Sequence, residues 1–180
     1  MAMIGHACVR AASLVLALLT AVGCASEIGK SENFSQADKR AMIVFGVDSK
    51  VGGYELGFMP FDPATQKNTK PWSPNYQYDR TLENPKGLQF TASVWDPGLY
   101  AVGHFCHQRT CVEFRQGTYY FELVPGKINY IGNFQLNDLS AGLLPRTDDL
   151  VAVYLKTFPG VNAEIVRPEL KRSGLKGLWD

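Results

Sequence analysis

Short strand-like segments separated by glycine and proline turns constrain the fold of this chain most. Residues 41–47 form a continuous apolar run that is typical of a buried strand. Residues 88–94 alternate apolar and polar side chains, as a strand with one face on a core and the other in water requires. Similar segments lie at 54–58, 118–124 and 127–136. The pattern predicts a mainly β fold, specifically an antiparallel β-sandwich.

Pro125 and Gly126 suit the second and third positions of a tight turn between two of these strands. A hairpin here would place Leu123 opposite Ile128, and Phe121 would face Tyr130 in the same way. We therefore expect the segments on either side of this turn to be neighbours in one sheet.

The end of the chain changes to a helical period. Thr147 can cap a helix, and Asp148 and Asp149 suit the positive end of its dipole. We predict one helix at about residues 147–158. The apolar residues at helical spacing are Leu150, Val153, Tyr154 and Phe158.

Cys24 stands at the end of a segment typical of secretory signal peptides. Arg10 precedes a short apolar run at 14–19, and small residues surround the expected cleavage point at Gly23. The run is too short to cross a bilayer, which takes roughly 20 residues. With cysteine as the first mature residue, this segment resembles the lipobox of bacterial lipoproteins. An ordinary signal peptide cut near Ala25 is the alternative.

The lipoprotein resemblance implies a location and a membrane partner. In that family the thiol corresponding to Cys24 receives a diacylglycerol, and the new amino group is usually acylated as well. Two chains suffice for stable attachment, because each buried methylene contributes about 0.8 kcal/mol. Ala25 is not the aspartate that favours inner-membrane retention, so the resemblance points to the outer membrane, with either periplasmic or surface display open.

The composition along the chain indicates four segments. We expect a signal peptide at 1–23, a lipidated polar tether at 24–39, the β domain at 40–166 and a basic tail at 167–180. Removing the signal peptide takes Arg10 from the 18 Lys and Arg residues, which leaves 17 against 17 Asp and Glu. A domain without net charge has no field to attract nucleic acid, and we expect none as a partner.

A second resemblance covers about residues 94–136. Pro97-Gly98-Leu99-Tyr100 and the segment from Tyr120 to Gly132 are similar to a pattern in small uncharacterised Gram-negative lipoproteins. Their domains look like the prealbumin-like or carboxypeptidase-regulatory sandwiches. This resemblance implies a fold and a location, and it implies no catalytic residue.

His104, Cys106, His107 and Cys111 are the one cluster of potential metal ligands. Four residues separate the two cysteines, so they can oppose each other across a hairpin and form a disulfide in an oxidising compartment. That register places His104 on the polar face, opposite Glu113. The alternative is a zinc or copper site built from the four residues, since thiolate with imidazole suits both metals.

Trp72, Tyr76 and Tyr78 lie in a proline-rich stretch between residues 62 and 87. Large aromatic side chains are enriched at interfaces, so this loop is a candidate contact for an envelope protein or a glycan. The rings could instead cover an open end of the sandwich. No motif marks a nucleophile or a cofactor site, and we expect neither catalysis nor a cofactor. A hydrolase pairing His104 with a carboxylate remains an alternative.

Overall fold

The computed structural model describes residues 28–49, 54–69, 77–80, 87–107, 110–111, 116–137 and 140–175. These residues form fourteen strands and one helix, α1, at Asp148–Leu155. The expectation of a mainly β chain with one late helix is confirmed. In chain order the strands are β1 (Phe34–Ser35), β2 (Ala41–Ser49), β3 (Tyr54–Asp62), β4 (Lys67–Asn68), β5 (Gln77–Arg80), β6 (Leu88–Trp95), β7 (Gly98–His107), β8 (Thr110–Cys111), β9 (Tyr119–Leu123), β10 (Ile128–Asn137), β11 (Ser140–Leu144), β12 (Val161–Asn162), β13 (Ile165–Val166) and β14 (Lys171–Arg172).

The strands form two large sheets and one short pair. Sheet A has the order β11-β10-β2-β6, with β13 beside β10. Sheet B has the order β14-β9-β7-β3-β4, with β5 beside β3 and β8 beside β7. The short pair is β1 with β12.

Sheet A is not purely antiparallel, which differs from the sequence-based expectation. β2 pairs with β6 in antiparallel fashion and with β10 in parallel fashion. The parallel ladder shifts register between Tyr130 and Gly132, and Gly132 has a φ of 120°. Glycine tolerates this conformation at a bulge, where other residues would be strained.

The two sheets share one hydrophobic core. Phe58 of β3 lies at its centre, with its ring centroid 5.1 Å from that of Phe45 on β2 and 6.0 Å from that of Phe134 on β10. The Trp95 and Phe121 rings lie 5.6 Å and 5.9 Å away, in tilted and edge-on arrangements. Such geometry is favourable for aromatic pairs. Side chains from both sheets therefore exclude water from one common interior.

The outer face of sheet A is also covered, which makes both sides of β2 buried. Met42 and Val44 pack beneath α1 in a second cluster, while Ile43 faces the core between the sheets. The expected wet face of β6 is wrong, because the polar side of this strand faces sheet B. Thr91 and Ser93 are buried on the side of β6 that faces sheet B.

The chain crosses between the sheets at Pro125 and Gly126, so the hairpin expected there is wrong. β9 belongs to sheet B and β10 to sheet A, which separates Phe121 and Tyr130 into different clusters. Asn129, fully buried, holds the corner by accepting from the Val124 N–H and donating to the carbonyls of Met42, Val124 and Lys127. Gly126 adopts a φ of 65°, beside the Gln36 carbonyl.

The helix forms where expected, and Tyr154 and Phe158, two of the four apolar residues predicted for its core face, pack in the cluster beneath it. Val151 and Leu155 are buried, together with Phe158 just beyond the helix. Leu150 and Val153, which we expected on the core face, are 49% and 60% exposed. The helical period of 3.6 residues allows more than one apolar face. The face that contacts sheet A carries Val151 and Leu155, which are four residues apart.

Both ends of the described chain belong to the domain. The expected tether of 24–39 differs from the structure from Ile28 onward, since Ile28 and Phe34 are buried on sheet A's outer side. The expected tail of 167–180 contributes β14, which pairs with β9, and a fully buried Leu175. Apolar side chains within these polar segments explain both differences.

Candidate functional site

The predicted disulfide is confirmed. Cys106 on β7 lies directly opposite Cys111 on β8, and their sulfur atoms are bonded at 2.08 Å. The hairpin positions the two residues as the sequence spacing indicated.

The bonded cysteines do not support the alternative of a zinc or copper site. A disulfide sulfur is not a thiolate and cannot serve as the anionic ligand that such a site needs. No group of three or more His, Cys, Asp or Glu side chains comes together as a metal site within the described ranges. The metal alternative would therefore require the disulfide to be reduced.

His104 lies in a different environment from the one we expected. It was predicted on a wet face opposite Glu113; instead it is 1% exposed, and it pairs across sheet B with Gly57 of β3. Its imidazole lies over Gly57, where a Cβ would overlap the ring. Glu113 is outside the described residues. His104 is therefore not on the wet face that the sequence pattern predicted.

The other predicted site residues are only partly within the described chain. Trp72 and Tyr76 of the candidate binding loop, and the lipidation residue Cys24, lie outside it. Tyr78 falls on β5, opposite Leu56 of β3. The stretch expected to be irregular between 62 and 87 therefore contributes two short strands, β4 and β5, to sheet B.

A surface that the sequence analysis missed lies at the edge of sheet A. β11 is the terminal strand of this sheet, and the residues from Ser140 to Leu143 are all exposed. The strand carries no charged side chain. The backbone groups on its outer side are the kind that pair with an added extended segment. β11 forms a hairpin with β10. The sequence signal for it was Asn137 and Asp138, since both residue types are common in turns.

A cleft of about 190 Å³ opens between this edge and sheet B. Its apolar wall includes Val102, Phe134 and Leu143, two of which also belong to the core between the sheets. On the opposite side the guanidinium carbon of Arg172 lies 4.4 Å from the centroid of the Tyr119 ring. The cleft thus combines apolar walls with one cation held against an aromatic ring. We call β11 and this cleft the β11 edge site.

The titratable groups with shifted pKa values lie elsewhere, in turns and surface ion pairs. A side-chain hydrogen bond from Arg40 lowers the pKa of Asp38, and the same contact raises the pKa of Arg40. Lys127 lowers the pKa of Glu164 through a hydrogen bond of 2.6 Å. The backbone N–H of Ala64 lowers the pKa of Asp62. These shifts follow from local structural contacts.

Comparisons with known proteins identify no relative: no family model, curated protein or solved structure matches the chain. Within the described ranges, none of the helices combines the length and the apolar character that crossing a bilayer demands.

Proposed function

We propose that this chain is a lipid-anchored lipoprotein of the bacterial outer membrane, whose β domain binds or assembles with other envelope components without catalysis. The anchor is the diacylglycerol attached to Cys24, after removal of residues 1–23 as a signal peptide. The apolar run, the small residues before Cys24 and the lack of an aspartate at Ala25 support this proposal.

The observation that carries the proposal is the segment from Arg10 to Cys24, with its short apolar run and the small residues before the cysteine. Ile28, the first residue that the structure describes, is buried and donates its backbone N–H to the Ala92 carbonyl at 3.0 Å. Only Ala25, Ser26 and Glu27 separate it from Cys24. Cleavage before Cys24 would therefore keep this packed residue in the mature domain.

The disulfide supports the same compartment. Disulfides persist in the periplasm and at cell surfaces and are rare in the reducing cytosol. The bond between Cys106 and Cys111 therefore agrees with export across the inner membrane.

For the fold, we propose a β-sandwich of the prealbumin-like kind. The shared core of sheets A and B supports a two-layer arrangement, because strands of both sheets contribute rings to it. For the binding role, the β11 edge site supports recognition of an extended segment of an envelope protein by strand addition.

The anchor is tested by comparing Cys24→Ser with Cys8→Ser, a matched control in the segment expected to be removed. We expect the first variant to leave the membrane fraction and appear in the soluble periplasmic extract, and the second to remain with the membrane. Persistence of the Cys24→Ser protein in the membrane fraction at the wild-type level, with residues 1–23 removed, would contradict the anchor.

A further inference from the structure

The outward face of α1 carries two exposed large apolar side chains. Leu150 and Val153 are three residues apart, which places them on the same side of the helix, with 49% and 60% of their surfaces exposed. Val151 and Leu155 on the other side are buried against sheet A. Isolated exposed apolar residues are ordinary. A pair on one helix face indicates a contact surface when the neighbouring part of the chain shows what lies against it.

Ile28, the described residue nearest to Cys24 along the chain, lies on the same side of the domain as α1. Ile28 is part of the buried cluster that also contains Val151 and Leu155, on the outer face of sheet A. Its N–H is bonded to the Ala92 carbonyl of β6. The helix and Ile28 therefore occupy one layer.

The length of chain between Ile28 and Cys24 limits how far the domain can stand from the lipid. Four residue steps span at most about 14 Å when fully extended. A domain of this length has a radius of gyration of about 15 Å. The anchor cannot lift the domain clear of the bilayer, so the layer that contains Ile28 and α1 must lie close to the membrane surface.

We infer that Leu150 and Val153 rest in the interface of the bilayer to which Cys24 is attached, so that α1 is the membrane-facing side of the domain. This inference rests on the proposed lipid anchor. Because the acyl chains hold the domain at the surface, a small apolar contact is enough to select one orientation. Glu122, exposed on sheet B between the core residues Phe121 and Leu123, then faces away from the lipid.

The contact is apolar in character, which predicts how it depends on lipid charge. Asp149 is exposed at the start of α1, and the exposed Lys156 follows its end. The two charges have opposite signs, so this side of the helix has no net charge from them. Asp148 is paired with Arg167 at 2.9 Å. The orientation is therefore expected to be the same on zwitterionic vesicles and on vesicles with anionic lipid, and at low and high salt.

The orientation is tested with the full lipidated protein in vesicles whose acyl chains carry a nitroxide quencher. Acylation occupies Cys24 and the disulfide occupies Cys106 and Cys111, so Val153→Cys and the matched control Glu122→Cys each add one thiol for a fluorescent dye. We expect severalfold stronger quenching of the dye at position 153. Adding Leu150→Glu to the Val153→Cys protein is expected to reduce that quenching while the protein stays on the vesicles.

The results distinguish the orientation of α1 from the lipid anchor at Cys24. Equal quenching at positions 153 and 122 in a vesicle-bound protein would overturn the orientation and leave the anchor standing. A wild-type protein that does not associate with the vesicles at all would overturn the proposed anchor, and the orientation with it.

Discussion

The side chain of Asn133 on β10 occupies the space that the missing side chain of Gly46 leaves on the paired strand β2. In that position Asn133 accepts a hydrogen bond from the Tyr130 hydroxyl at 2.8 Å. Its amide donates to the Pro145 carbonyl at 2.7 Å and to Thr147 Oγ1 at 3.1 Å. Through these bonds Asn133 of sheet A holds the segment that leads into α1.

Replacing Gly46 with alanine should destabilise the protein. A Cβ at this position would overlap Asn133 Oδ1 and displace a buried, fully hydrogen-bonded side chain. Overpacking typically costs about 1–3 kcal/mol, and a disturbed buried hydrogen bond adds to it. We expect a loss of about 2–4 kcal/mol in the free energy of unfolding, measured by urea denaturation of the soluble domain.

Gly142→Ala is the matched control for that experiment. Gly142 lies on the exposed strand β11, and a Cβ there would meet nothing within 4 Å. Its effect should stay within about 0.5 kcal/mol. Similar stability of the two variants would show that Gly46 has no special role in accommodating Asn133.

Asn133→Ala should also destabilise the domain, by about 1–3 kcal/mol, because it removes one buried hydrogen bond, to the Tyr130 hydroxyl, and two partly buried ones. Asn137→Ala on the same strand is the comparison, since Asn137 makes a longer exposed bond of 3.4 Å to Ser140. Urea denaturation midpoints measure both. Equal losses would mean that the contacts of Asn133 near α1 contribute nothing beyond an ordinary surface amide.

Removing the disulfide by Cys106→Ser with Cys111→Ser should leave the domain folded but less stable. The bond closes a short loop, with a sequence separation of 5, for which the chain-entropy estimate is about 2 kcal/mol. Reductant should lower the stability of the wild-type domain by a similar amount and leave the serine variant unchanged. Labelling of both cysteines in the native, unreduced domain would contradict the disulfide.

Arg40→Met should raise the pKa of Asp38 toward its ordinary value, because the hydrogen bond that lowers it is lost. A carboxyl with a lowered pKa in the folded state stabilises the fold above its unfolded pKa, and this contribution is lost as the pH falls through the folded value. The wild-type advantage, less than about 1 kcal/mol for a surface pair, should be present at pH 7 and be lost as the pH falls through the lowered pKa of Asp38.

Denaturation at several pH values and an NMR titration of the Asp38 carboxyl measure this effect. Lys39→Met, at the adjacent exposed position, is the control for removing one positive charge. A stability difference between wild type and Arg40→Met that does not change with pH would rule out the ion pair as its source.

Much of the secondary structure could be predicted from the sequence, because local side-chain patterns determine it. The apolar run of β2, the alternation in β6 and the acidic first turn of α1 all mark elements that the structure contains, although Thr147 makes no side-chain cap hydrogen bond. The disulfide hairpin was one of the two interpretations that the cysteine spacing allowed, and the structure contains it.

The pairing between distant elements could not be predicted in the same way. Alternation shows that β9 and β10 each have an apolar face, but it does not show that these strands belong to different sheets. The burial of His104 depends on Gly57, which is far away in sequence and opposite it in sheet B. Likewise, the exposed face of α1 was decided by the sheet beneath it rather than by the helix.

The proposed anchor requires that Cys24 be the lipidated first residue of the mature protein. The most direct measurement is the mass spectrum of the N-terminal peptide of the protein extracted from membranes. We expect a peptide that starts at Cys24 and carries a thioether-linked diacylglycerol, whose ester-linked chains are released by mild base. A peptide starting at Ala25, or one containing Cys24 without a lipid, would contradict it.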